Sequence, residues 1–101
     1  MPSRLELQTL LEGILGSRNV YYQPPESVKM QYPAIVYSRS NIENVHANNS
    51  VYKQNYAYEI VVIYDDPDSD LPAKLLKLPL CRFDRGYVSD NMYHDSFTIY
   101  Y

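Results

Sequence analysis

The sequence predicts an α+β domain: a mainly antiparallel sheet of four to five strands with two helices packed on it, in the order α-β-β-β-α-β-β. Three observations carry this. The stretch Tyr52–Asp65 (YKQNYAYEIVVIYD) alternates from Tyr56 onward, with Tyr56, Tyr58, Ile60, Val62 and Tyr64 on one side and Ala57, Glu59, Val61 and Ile63 on the other. Near the N-terminus, Leu7, Leu10, Leu11, Ile14 and Leu15 recur at helical spacing. Elsewhere, short β-branched and aromatic runs are bounded by Pro, Asn and Asp. At 101 residues, the chain is one domain, 1–101, with material for a single modest core.

Ser3-Arg4-Leu5-Glu6 reads as a capping box opening the first helix, and Gly16 is placed to end it in a left-handed conformation. Gly13, inside that helix, costs about 1 kcal/mol against Ala, a cost that close packing would explain. Asn19–Gln23 is a short strand halted by Pro24-Pro25, and Glu26–Tyr32 is a connector. Pro33 precedes a second strand, Ala34–Arg39. Ser40–Ser50 (SNIENVHANNS) is polar and Asn-rich and reads as a long loop, of a length that inside a compact domain is usually functional or disordered. The strand that follows is apolar on both faces at its centre (IVVI), which puts it inside the sheet. A run of that length spans about 40 Å, so it either bends over the sheet or leaves the domain as one arm of a hairpin.

Asp65–Asp70 is a turn and helix start; the helix, roughly Ser69–Lys77 with Pro72 in its first turn, turns Leu71, Leu75, Leu76 and Leu78 inward before Pro79 stops it. Cys81–Val88 and His94–Tyr101 are strands joined through Ser89-Asp90-Asn91. Phe97 and Ile99 share one face of the last strand.

Composition narrows the function classes. Twelve Tyr, two Phe and no Trp suit half-buried sheet faces and interfaces equally. A net charge of −3, with the basic residues scattered, argues against a nucleic-acid binder. The single cysteine, Cys81, excludes an internal disulfide and a zinc site built from several cysteines. No segment approaches the roughly 18 apolar residues of a membrane span, and no signal peptide is read at the N-terminus, so folding in a cytoplasm is expected.

No catalytic motif emerges. Asp66, Asp68 and Asp70 mimic the opening of a calcium loop, but Leu71 and Lys77 stand where that pattern needs Gly and Glu. His94, Asp95 and Ser96 adjoin in a strand and project alternately, so without a bulge they cannot converge as a triad. His46, His94 and Cys81 have no metal-ligand spacing. Arg82, Asp84 and Arg85 around Phe83 read as a charged outer face with cross-strand ion pairs. The expectation is a protein that is not an enzyme, with no cofactor and no metal.

With the elements placed, the chain resembles the small tail terminator (tail completion) proteins of bacteriophages with long non-contractile tails, in the head–tail joining group. The likeness rests on the LxxLL-type helix through Leu11, VYYQPP at Val20–Pro25, YPAIVYS at Tyr32–Ser38, YDDPDSDLPAKLLKLP at Tyr64–Pro79 and FDRGYVSDNMYHDSFTIYY at Phe83–Tyr101. It implies an antiparallel sheet with flanking helices. It also implies a six-membered ring of identical subunits that caps the tail-tube protein, ends tail polymerisation and joins the head connector or stopper protein. Such a protein resides at the head-proximal end of the virion tail and, during assembly, in the host cytoplasm. DNA would pass through the lumen without specific binding, and no membrane is involved.

Tyrosine clustering and loop position, not the resemblance, nominate the contact residues. They are Tyr52, Tyr56, Tyr58, Tyr64 and Tyr100 at an interface, and Glu43, Asn44, His46, Asn48 and Asn49 in a loop facing tube or lumen. Two other readings stay open. One is a head-closure, stopper or other head–tail joining protein. The other, of a different class, is a small cytoplasmic regulator that binds a peptide by adding a strand to its sheet edge.

Overall fold

The computed structural model describes residues 4–24, 27, 29–47 and 50–100, and across 41–47 and 50–56 it describes the backbone alone. Seven elements follow in the expected order: α1 (Arg4–Leu15), β1 (Val20–Tyr22), β2 (Ala34–Ala47), β3 (Ser50–Tyr64), α2 (Leu71–Leu76), β4 (Cys81–Ser89) and β5 (Met92–Tyr100). The strands form one sheet in the order β1-β2-β3-β5-β4. Every pairing is antiparallel except β1 with β2, which is parallel, so the sheet is mixed.

The alternation in β3 sets the two faces. Tyr58, Ile60 and Val62 are buried, as are their neighbours Tyr37 and Ile35 on β2 and Phe97 and Ile99 on β5. Against this face lie Leu7 and Leu11 of α1 and Leu71 and Leu75 of α2, completing one core. Leu10, Ile14, Leu15 and Leu78 pack at its margin. Leu76, expected inside, is half exposed, because one residue past Leu75 a helix has turned about 100° away.

Gly16 ends α1 with φ +81°, and its N–H donates to the Glu12 carbonyl over 2.9 Å. A Cβ at Gly13 would meet nothing within 4 Å, so close packing does not explain that glycine. Ser3 of the expected capping box lies outside the described residues. At α2, Asp70 occupies the N-cap without a side-chain cap bond, and the Ser69 hydroxyl accepts from Leu71 N–H instead.

Inside the core, the Tyr37 hydroxyl donates to Gln8 Oε1 and accepts from Arg4 Nη1. Gln8 also donates to the Val20 carbonyl, tying α1 to both β1 and β2. Burial pushes the Tyr37 phenol above its ordinary value, with the nearby Arg4 pulling the other way.

Ser40–Ser50 is corrected from a loop to strand. β2 continues through it to Ala47 and pairs with β3 down to Ala47 opposite Ser50. Asparagine's turn preference gave the loop reading, and long-range pairing with β3 overrides it. The remaining pair of that stretch, Asn48 and Asn49, lies outside the described residues. The long strand therefore leaves the body as one arm of a hairpin rather than bending over the sheet. The β3–β5 pairing ends at Ala57 opposite Tyr100, so among the described residues the hairpin beyond it has two strands. The molecule measures 51 × 27 × 22 Å, and its 14.7 Å radius of gyration exceeds the ~13 Å of a compact chain this long.

Candidate functional site

The surface best suited to contact another molecule is β4. It closes one side of the sheet, and among the described residues no strand pairs with its outer edge. An edge strand offers a row of unpaired N–H and C=O groups. From Arg82 to Ser89 every residue is exposed. Phe83 is 48% exposed, Tyr87 41% and Val88 66%, so the edge carries apolar surface as well as backbone. The strand holds its shape through β5: Phe83 meets Phe97 edge-on at 5.5 Å, with a register shift between Phe83 and Arg85. At the far end, Asp90 and Asn91 (φ +53° and +62°) make a two-residue turn of the twist that suits a hairpin.

On the sheet face away from the helices, Tyr87 stacks on His94 with centroids 4.9 Å apart, and Arg85 lies 5.2 Å from the Tyr87 centroid. Arg82 Nε bonds Asp84 Oδ1 over 3.2 Å, and Thr98 donates to the other oxygen of that carboxylate. The expected cross-strand ion pair thus runs along β4 instead, with Thr98 supplying the cross-strand bond. Exposed as it is, this pair contributes little stability.

On the helix-bearing face, Val88, Tyr93 and Tyr64 stand in register across β4, β5 and β3. Tyr64 stacks on Tyr93 at 5.4 Å and donates its hydroxyl to Asp95 Oδ2. Desolvation, then the Asp95 carboxylate, pushes the Tyr64 phenol up to about 12. Gly86 faces Asp95: a Cβ there would stand 2.7 Å from Asp95 Oδ1.

The nominated residues do not gather at one place. Tyr58 is buried in the core, its ring tilted against that of Tyr37, and this corrects its nomination as a contact residue. Tyr64 is half-buried and committed to Asp95; Tyr100 is half-buried on the helix-free face, opposite Ala57. Tyr52 and Tyr56 lie on the arm, where their side chains are outside what is described. Glu43, Asn44 and His46 sit on β2 in register with Asn55, Gln54 and Val51, not in a loop. Asn48 and Asn49 are outside the described residues.

His94 and Ser96 lie on the helix-free face and Asp95 on the other, as alternation requires. Asp66 accepts from Asp68 N–H, and Asp70 pairs with Lys74, so this acidic stretch serves a turn and a helix start. Cys81 is half-buried against the core, and burial together with the nearby Asp84 raises its thiol. Sequence reasoning passed over β4 as a contact surface. Its signal was the spacing of Phe83, Tyr87 and Val88, three large apolar residues in a strand with both charge signs, which only the strand order marks as an edge.

Comparison of the chain with protein-family models, with curated proteins and with solved structures found no match.

Proposed function

We propose that this protein is a non-enzymatic virion assembly protein of the tail-terminator kind, which caps a phage tail tube as a six-membered ring, ends tail polymerisation and forms the joint to the head connector. The observation that carries this reading is a pair of unlike surfaces on one small domain: a two-stranded arm extending past the body and an open, aromatic edge strand at β4. A ring needs heterologous contacts, in which one surface meets a different one on the next copy. The resemblance of the runs around Val20–Pro25, Tyr32–Ser38, Tyr64–Pro79 and Phe83–Tyr101 to tail terminators supports the same role.

The test is electron microscopy of particles made when the gene is silenced in its phage. Filled heads beside separate tails of uncontrolled length are expected. Tails of normal length beside unjoined heads would transfer the protein to head closure.

The open edge of β4 also favours a second reading, strand addition by a peptide partner in a small regulator. Normal infectious particles after silencing would leave that reading as the one to pursue.

A further inference from the structure

We propose that the arm of one copy adds to the open edge of β4 on the next, through the outer edge of β2 from Asn41 to Ala47. This deepens the ring reading and rests on it. The arm is the part of the fold with least support of its own. From Asn41 to Tyr56 its strands pair only with each other among the described residues. An isolated two-stranded hairpin is at best marginally stable in water. A third strand would supply the missing ladder.

β4 fits that need in length, polarity and position. It runs nine residues, enough to take the seven of β2 from Asn41 to Ala47. β2 is antiparallel to β3, β3 to β5 and β5 to β4, so β2 and β4 run in opposite directions. A second copy brought alongside in similar orientation therefore presents β2 to β4 as an antiparallel pair. The two edges also lie on opposite sides of the sheet: β4 closes one side, and β2 faces the other, where β1 covers just Ile35–Tyr37. Joining them is head-to-tail, whereas β4 against β4 would be isologous and stop at a dimer. Charge agrees, since Glu43 is the acidic residue of that stretch of β2 and β4 carries exposed Arg85 in addition to the Arg82–Asp84 pair.

The experiment uses single cysteines in a full-length Cys81→Ser background. Glu43→Cys protein is mixed in turn with Arg82→Cys, Arg85→Cys and Val88→Cys proteins, oxidised mildly and examined by non-reducing electrophoresis. A disulfide-linked dimer is expected in at least one mixture and in neither of its components alone. A β4 variant that links to itself as fast as in the mixture would overturn the proposal in favour of β4 self-pairing. Absence of a link in every mixture would overturn it as well.

A second variant, with Ile42–Tyr56 replaced by Asn-Gly, removes the arm. It should keep a cooperative unfolding transition and, in native mass spectrometry, fail to form the oligomers expected of the full chain; oligomers equal to the full chain's, or none from the full chain itself, would overturn the proposal. Gene silencing separates this from the terminator reading. A cross-link with normal tails leaves the edge contact and removes the terminator, and uncontrolled tails without a cross-link do the reverse.

Discussion

The Tyr64 hydroxyl donates a 2.5 Å hydrogen bond to Asp95 Oδ2, which joins β3 to β5 on the helix-bearing face of the sheet, beside the open edge. The other oxygen of that carboxylate stands over Gly86 of β4, where a Cβ would come within 2.7 Å of it. Three strands are therefore locked by one side chain: Tyr64 fixes the carboxylate, and the fixed carboxylate requires a glycine opposite.

That lock predicts non-additivity. Tyr64→Phe should cost about 1.5–3 kcal/mol, the usual loss for a hydrogen bond to a charged acceptor. Gly86→Ala should also destabilise, by forcing the carboxylate aside. In the double variant the carboxylate is free to swing, so Gly86→Ala should cost less than it does alone. Urea unfolding of the four proteins gives the coupling. Strictly additive costs would mean that Asp95 is not held by Tyr64.

The same bond has a pH signature. Folding raises the Tyr64 pKa from 10.0 to about 12, so the native state favours the protonated phenol. Its contribution to stability is whole below pH 10 and is lost as pH rises through about 12. Tyr64→Phe should flatten the fall in melting temperature across that alkaline window relative to the parent. An unchanged alkaline slope would remove Tyr64 as its source.

The two glycines of α1 should respond in opposite directions. Gly13 has open space around it and lies mid-helix, so Gly13→Ala should stabilise by about 0.5–1 kcal/mol. Gly16 holds φ +81°, and Gly16→Ala should destabilise by about 1–2 kcal/mol. Thermal unfolding that shifted both the same way would contradict the helix boundary.

Tyr37→Phe keeps the ring in the core and removes the hydroxyl that links Gln8 and Arg4. A loss of about 1–2 kcal/mol is expected, because Gln8 Oε1 is left without its donor. Hydrogen exchange should quicken first in α1. Uniform acceleration across the sheet would show that the network is not local to the helix.

At the β4–β5 turn, both central residues have positive φ. Asp90→Val should cost about 1–2 kcal/mol, since a β-branched residue resists that conformation. Asn91→Gly should be tolerated. Equal tolerance at both positions in urea unfolding would rule out the positive-φ turn.

Much of this fold was legible in the chain itself, because local pattern and burial agree there. The Leu7–Leu11 stripe, the alternation of Tyr58, Ile60 and Val62, the Gly16 stop and the Asp90-Asn91 turn each carry their signal within a few residues. Leu76 and Gly13 were misread because a helix's exact facing and its neighbours depend on what packs beside it.

What the sequence by itself determined is the element order and the two-faced alternation of the long strand, since periodicity and turn chemistry are local properties. Tertiary structure alone decided the rest. Ser40–Ala47 became strand because β3 lies alongside it, although its asparagines favour turns. Tyr58 went to the core and Phe83, Tyr87 and Val88 to the surface because strand order, a property of the whole chain, makes β3 central and β4 an edge. An aromatic residue in a strand reads the same in either place; whether it is core or contact depends on how many strands lie beside it.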